Sequence, residues 1–282
     1  AALDANTTAG GNTAVGFGVL GATTTGDRNT ALGQSAMGAN TVGDRSVGIG
    51  FQALNAQNPS SNADMYNTAV GYNAGTLVTT GTLNTLVGGL AGDAITTGAS
   101  NTAVGYNSLS ANTTGIANVG LGQNSLANNT TASDNTALGS HSLDTNTTGA
   151  SNTGVGRNAL RANTTGASNT AVGAGALDEN TTGGNNVALG ADALSVNTTG
   201  DANTAIGEDS LKANTTASNN TAVGRRAMFA NTTGTDNVAF GHNALDANTT
   251  ASNNTAIGHD ALTANTTGTL NTAMGAGALD AN

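Results

Sequence analysis

The sequence predicts an all-β fold, a parallel β-solenoid (β-roll) of about sixteen 17-residue coils. Gly recurs at positions 16, 33 and 50, and from position 71 every 17 residues through position 275. A fixed period of this length is typical of repeat architectures in which each unit stacks on the next. Two Gly per unit, Asn-Thr-Thr runs and the lack of a 3.6-residue apolar stripe argue against helix.

The unit is almost unaltered at residues 101–117, NTAVGYNSLSANTTGIA, and its 17 positions are called columns one to seventeen below. Column four is always large and apolar, and column nine is Leu or Met in 14 of 16 units. We therefore expect these two columns to form the core. On this basis Val172→Asp should destabilise the array severely, whereas Arg157→Ala, in the variable column six, should have little effect.

Two short strands per coil are expected. Thr, Ala, Val and Gly alternate over columns two to five, which predicts a strand with the column-four side chain inward. A second strand is predicted over columns eight to eleven. Gly in column five and Gly or Ala in column fifteen mark corners, where a positive φ or close backbone approach is expected.

Small residues fill columns three and eight, and they suggest contact with a second chain. Column three is Ala or Gly except at Leu86, and the core of one coil is thin for the entropy lost on ordering it. We therefore predict a homotrimer with these small columns facing its axis, which could extend into an end-to-end polymer. Gly75 and Gly92 leave column nine empty on either side of Leu86, which predicts a local repacking around it.

Residues 1–282 are expected to form a single repeat array, with one irregular 21-residue unit at 46–66. Its insertion lies in the corner between Gln57 and Tyr66 and contains Pro59, with Met65 close by. A projecting loop can recognise a ligand, but we interpret this one as tolerated decoration.

Composition limits the partners. The net charge is −10 with only seven Lys and Arg, so there is no basic stripe for nucleic acid or an anionic membrane. No apolar run approaches the roughly 18 residues of a membrane span, and no signal peptide is visible. The sequence has no Cys.

Asn recurs in columns one and twelve, and two interpretations remain open. Asn-Thr-Thr is a glycosylation acceptor sequence, but Asn recurs equally in Asn-Thr-Ala, which favours a ladder of Asn amides between coils. Adjacent Thr residues such as Thr113 and Thr114 should point to opposite sides, which disfavours an ice-binding face formed by that pair. The acceptor sequences begin at Asn6, Asn112, Asn129, Asn146, Asn163, Asn180, Asn197, Asn214, Asn231, Asn248 and Asn265.

No catalytic, cofactor-binding or metal site is predicted, and we expect a protein that is not an enzyme. His141, His242 and His259 lie in columns six and seven and are interpreted as solvated surface residues. The acidic residues of columns seven, ten and sixteen could bind Ca²⁺ weakly but are interpreted as solvated charge; examples are Asp192, Asp178 and Asp201.

The units SNTAVGAGAL at 168–177 and ANTAIGEDSL at 202–211 resemble head repeats of trimeric autotransporter adhesins of the YadA type. The array is also similar to NTAxGxxAL…NTTG repeats of phage tail-fibre and bacterial surface proteins. This resemblance implies a trimeric parallel β-roll. The 17-residue unit is longer than the adhesin repeat, and neither a coiled-coil neck nor a membrane anchor is recognisable.

The function expected from these features is that of a structural or adhesive fibre segment in an extracellular filament, adhesin or tail fibre. Its location would be extracellular, at a cell surface or on a virion. A cell-surface or glycan receptor is an expected partner. The alternative is a solenoid that binds ice or glycans through its Thr and Asn ladders.

Overall fold

The computed structural model describes residues 1–281 and divides the chain into two compact units. The first is Ala1–Ser140, and the second is His141–Asn282, of which all but the last residue is described. The secondary structure is all β, and no helix occurs in the described range. Each unit is a parallel solenoid with coils of about 17 residues, and the chain makes about 15 turns in all. The predicted all-β parallel β-solenoid with coils of about 17 residues is confirmed.

The first unit contains one long parallel sheet and one small one. The small sheet pairs β3 with β5, and the other strands follow one another in chain order. The strands are β1 Thr13–Val15, β2 Thr30–Leu32, β3 Gly43–Asp44, β4 Val47–Ile49, β5 Ala63–Asp64, β6 Thr68–Val70, β7 Thr85–Val87, β8 Thr102–Val104, β9 Val119–Leu121 and β10 Thr136–Leu138.

The second unit contains eight three-residue strands that pair in the same way. Like columns face one another throughout, as in Ala171 beside Ala188 and Ala205. The strands are β11 Thr153–Val155, β12 Thr170–Val172, β13 Val187–Leu189, β14 Thr204–Ile206, β15 Thr221–Val223, β16 Val238–Phe240, β17 Thr255–Ile257 and β18 Thr272–Met274.

Columns eight to eleven form turns, so the predicted second strand is wrong for the described residues. The cause is a left-handed backbone at columns seven and nine, as at Asn107 (φ 59°) and Leu109 (φ 54°), which prevents an extended run. Coil-to-coil hydrogen bonds compensate this strain, since Leu109 N–H donates to Ser125 O at 3.0 Å. The corner at column five is confirmed: Gly105 has φ +134°, and a Cβ there would lie 2.6 Å from Gly122 O.

The direction predicted for the strand side chains is wrong. Ala in column three points inward and is fully buried, as at Ala171, whereas the neighbouring Val172 of column four is only partly covered. Column nine is correctly placed in the core, because Leu177 and the other column-nine Leu and Met residues of the 16 units are fully buried, except Leu279 in the last coil. A coil with one three-residue strand leaves room for a methyl group, not an isopropyl group, between that strand and the column-nine Leu.

The small columns therefore cannot face a trimer axis, contrary to the prediction, because they line the interior of their own coil. Leu86 shows this directly, since its side chain is fully buried within the first unit. A Cβ placed at Gly75 would lie 2.6 Å from Leu86 Cδ1, and one at Gly92 would lie 2.7 Å from Leu86 Cδ2. The predicted repacking around Leu86 is confirmed, but it fills the core of one chain.

The interior is tight enough to couple columns three and eight. Ser142 Oγ donates to Gly154 O at 3.0 Å, and a Cβ at Gly154 would lie 2.5 Å from that hydroxyl. Ser210 instead donates to Gly207 O at 2.9 Å, and the next coil carries Ala222 in column three. Where the column-eight Ser hydroxyl points toward column three of the following coil, that position is Gly; where it points toward its own coil, that position can be Ala.

Buried Asn ladders connect the coils, as expected. In column one, Asn84 N–H donates to Asn67 Oδ1 at 2.9 Å, and Asn84 Nδ2 donates to Gly98 O at 2.9 Å. In column twelve, Asn163 Nδ2 donates to Asn146 Oδ1 and to Gly166 O at 2.8 and 2.9 Å. These amides satisfy corner carbonyls that would otherwise be buried without a partner.

The irregular unit keeps the register of the sheet. Val47 pairs with Thr68, 21 residues later, so the inserted residues project from the coil without changing the register of the paired strands. Pro59 and Met65 are buried, and Tyr66 is exposed beside an ion pair of Arg45 with Asp64. The insertion therefore packs on its own unit.

Candidate functional site

The most extensive exposed feature is the outward side of the three-residue strands, called the strand face below. It consists of the side chains of columns two and four, which point away from the core because column three points inward. Column two contains only Thr and Val, and column four only Val, Leu, Ile, Phe and Met. Neither column contains a charge at any coil.

Column-four side chains remain accessible in both units. Their exposed fraction ranges from 36% at Val87 to 72% at Met274 among the most exposed members. Leu121 in the first unit and Leu189 and Phe240 in the second each expose about half of their surface, at 45%, 46% and 55%. Single exposed apolar residues are normal on proteins, but a continuous row in successive coils marks an interaction surface.

The Asn-Thr-Thr sequences do not form a comparable surface. Asn112, Asn163 and the other column-twelve Asn of the acceptor sequences are buried, with Asn6 as the exposed exception. Asn163 Nδ2, the atom that a glycan would modify, donates two hydrogen bonds inside the coil. The adjacent Thr residues also differ in environment, because Thr113 donates to Thr130 O at 3.1 Å whereas Thr114 is exposed.

The acidic residues singled out in the sequence mostly contact neighbouring coils. Asp178 pairs with Arg161 at 2.7 Å, and Asp201 Oδ1 accepts a hydrogen bond from Gly184 N–H at 2.6 Å. Asp192 lies 3.1 Å from Lys212, which also contacts Asp209 at 2.8 Å. The hydrogen bond to Asp209 is the main cause that raises the pKa of Lys212; partial burial opposes it, and Asp192 adds to it. These acidic side chains therefore connect coils.

The three His residues divide into one single residue and one pair. His141 Nδ1 lies 2.8 Å from Asp144 Oδ2 within its own coil. His242 and His259 occupy column six of successive coils, and their rings stack with centroids 5.1 Å apart. Their separation of 17 residues equals the repeat period, a signal of pairing that is lost when each His is considered separately.

Comparison with known proteins gives no relative. No protein-family model matches the chain, and neither a curated protein nor a solved structure matches it significantly. Among the described residues there is also no helix with the length and hydropathy needed to span a membrane.

Proposed function

We propose that the chain is a structural or adhesive fibre segment of an extracellular surface filament, adhesin or phage tail fibre. It acts without enzymatic chemistry and assembles as a homotrimer through the strand face. The observation that carries this proposal is the uncharged apolar row of column four, whose side chains are partly or largely exposed in both units. The resemblance of the repeats to trimeric adhesin heads and tail-fibre arrays supports the same role.

The energetics favour a covered strand face. Each unit presents eight column-four side chains, and covering the exposed part of one stabilises by about 1 kcal/mol. Eight of them supply on the order of 8 kcal/mol per unit, against roughly 4–15 kcal/mol for the freedom lost on association. The strand face of one unit therefore offsets much of that cost.

Other copies of the same chain are the occupants that fit the strand face. If the copies are parallel and in register, each coil lies beside the same coil of the other copies. The large Phe240 would then contact Phe240 of the other copies and not a side chain of different size. A cyclic arrangement of three such faces closes without leaving one exposed, as homo-oligomers generally do. A two-fold pair can also cover the face, and the resemblance of the repeats to trimeric adhesin heads is what favours three copies.

Two adjacent residues of β13 test this arrangement. Ala188 is fully buried in the coil, whereas Leu189 belongs to the strand face. We expect Ala188→Asp to abolish the β-type circular dichroism spectrum, because the carboxylate would be buried without a partner. Leu189→Asp should keep that spectrum but reduce the mass in sedimentation equilibrium from three times 27.1 kDa to a single chain.

The control for both variants is Arg157→Ala, which removes an exposed column-six side chain of the same unit. It should change neither the spectrum nor the mass. A wild-type chain that sediments as a folded monomer at micromolar concentration would contradict the proposed assembly. An unfolded Leu189→Asp variant would show instead that column four is part of the core.

Ice binding is the second candidate, and the strand face is the observation that favours it. Thr of column two and the apolar residue of column four alternate outward on one parallel sheet, as in Thr170 and Val172. Regular rows of hydroxyl and methyl groups can order water. The uneven sizes of column four, from Val to Phe, argue against a flat lattice match. Arrest of ice growth by a monomeric wild-type chain would support this function over the fibre.

A further inference from the structure

We propose that His242, His259 and Asp260 form a binding site for one divalent transition-metal ion such as Zn²⁺. The three residues lie on two successive coils of the second unit, His242 on the first and His259 with Asp260 on the second, and each offers one ligand atom. These three atoms lie within 4.8 Å of one another. The assignment is separate from the fibre function, because columns six and seven are not part of the strand face.

The repeat creates the pair of imidazoles. His242 and His259 are both in column six, so the stacking of coils places one ring above the other at 5.1 Å with an interplanar angle of 14°. Imidazole nitrogen is a preferred ligand of Zn²⁺, Ni²⁺ and Cu²⁺. Two His residues in stacked turns of successive coils are held close before any ion arrives, which reduces the entropy lost on binding.

A carboxylate joins the pair from column seven. Asp260 Oδ2 lies 2.9 Å from His259 Nδ1, and Asp260 Oδ1 accepts a hydrogen bond from Asn243 Nδ2 at 3.0 Å. Asn243 thereby holds one carboxylate oxygen and directs the other toward the imidazole. Such outer hydrogen bonds orient metal ligands and affect affinity by roughly 10–100-fold.

His242 contributes an independent observation. Its Nδ1 atom is shielded from solvent and has no hydrogen-bond partner among residues 1–281. Buried polar atoms in native proteins nearly always have a partner, so this one calls for an explanation. A metal ion bound through this nitrogen would give it the partner that the described residues do not provide.

The dimensions suit a four-coordinate ion after small side-chain movements. Tetrahedral Zn²⁺ with bonds near 2.1 Å holds its ligand atoms roughly 3.4 Å apart. The 2.9 Å contact of His259 with Asp260 must widen slightly, and the widest separation must shorten from at most 4.8 Å. The exposed His259 side chain has room to rotate, because the next coil carries only Ala276 and Gly277 in these columns. Water would complete the coordination.

Neighbouring charges leave the site available to a cation. The coil on the other side carries Arg225 and Arg226 in columns six and seven, which would repel a metal ion if unpaired. Each is paired with a carboxylate, Arg225 with Glu208 at 3.1 Å and Arg226 with Asp246 at 3.2 Å. The carboxylate of Asp260 supplies negative charge at the site itself.

Isothermal titration of the chelator-treated full chain with ZnCl₂ tests the proposal. We expect one Zn²⁺ per chain with a dissociation constant below about 100 μM. His242→Ala and His259→Ala should each weaken binding at least about tenfold, and Asn243→Ala should weaken it by about tenfold through Asp260. Unchanged circular dichroism spectra would show that these variants remain folded.

His141→Ala is the matched control. His141 contacts Asp144 at 2.8 Å, much as His259 contacts Asp260, but the next coil carries Asn158 in its column and not a second His. This variant should bind Zn²⁺ as the wild type does. The proposal is wrong if no heat of binding is detected, or if His141→Ala loses as much affinity as His242→Ala. A stoichiometry of three Zn²⁺ per chain would likewise contradict it, because it would mean that each His binds alone.

Discussion

Leu86 offers a sharp test of which side chains share the interior. It is fully buried in column three, and its two methyl groups occupy the space that Leu would fill at Gly75 and Gly92. Leu86→Ala should lower the free energy of unfolding by about 2–5 kcal/mol, the usual range for a buried Leu that leaves a cavity. The cost should fall near the upper part of this range, because Gly75 and Gly92 have no side chain with which to refill the space.

Gly75→Leu provides the second arm of a double-mutant cycle. Gly75 has φ +58°, close to the +54° of Leu109, so the backbone already has the conformation that column-nine Leu adopts. Alone, this substitution should cost about 1–3 kcal/mol through overlap with Leu86. Combined with Leu86→Ala, it restores the common arrangement of Ala in column three and Leu in column nine. We expect the double variant to be more stable than Leu86→Ala by about 1 kcal/mol or more.

Urea unfolding followed by circular dichroism measures the cycle, with equal m-values as the check on comparable transitions. Leu83→Ala is the control, because it makes the same substitution at an exposed position, column seventeen of the preceding coil. It should lower the free energy of unfolding by less than about 0.5 kcal/mol. Strictly additive effects of Leu86→Ala and Gly75→Leu would refute the assignment of columns three and nine to one shared interior.

Two further predictions concern individual polar groups. Gly154→Ala should destabilise the second unit by about 1–3 kcal/mol in thermal or urea unfolding, because its methyl group would overlap Ser142 Oγ. Adding Ser142→Ala should recover most of this loss of stability. A double variant that recovers none of it would contradict the coupling of columns three and eight. Burial raises the pKa of Asp93 above its ordinary value of 3.8, although hydrogen bonds from its own backbone N–H and from that of Ala94 act in the opposite direction. Asp93 Oδ1 has no hydrogen-bond partner within residues 1–281. Because the raised pKa belongs to the folded state, the ionised carboxylate destabilises the fold at neutral pH, and stability should increase as pH falls through that pKa. Asp93→Asn should therefore be more stable than wild type at pH 7, and the difference should disappear below about pH 4, where the carboxyl is protonated in both states; a pH-independent difference would contradict this cause.

The repeat period and the residue classes of each column were sufficient to predict a parallel β-solenoid. Recurrent Gly such as Gly105 and the Asn ladder through Asn84 follow from spacing alone, because like columns must stack. The position of the insertion also follows, since Val47 and Thr68 keep the register around it.

The direction of the strand could not be predicted from hydrophobicity alone. Ala and Val alternate with a period of two, so either can face inward, and the larger residue was expected to form the core. The deciding quantity is the small space inside a coil, which admits Ala171 but not Val172. The sequence did contain the necessary signal: Leu86 in column three compensates for Gly75 and Gly92 in column nine, which requires both columns to face one interior.

The candidate site was missed for a related reason. Assigning column four to the core leaves the small residues of columns three and eight as the candidate interface between chains, so the strand face is not recognised. The His242–His259 pair was overlooked because each residue was assessed by itself and not by its distance in repeats.

Site-specific cross-linking tests most directly whether the strand face joins copies of the chain. The sequence has no Cys, so Val172→Cys places a single thiol on the strand face, and Ala174→Cys places one at an exposed position two residues beyond it. Strand faces that meet around a shared axis bring neighbouring sheets to about the 10 Å spacing of packed sheets, so a bismaleimide of similar span can connect neighbouring copies. We predict efficient cross-linking of the folded Val172→Cys chains at micromolar concentration and little cross-linking of Ala174→Cys. Equal cross-linking of the two variants, or none from Val172→Cys, would contradict an interface formed by the strand face.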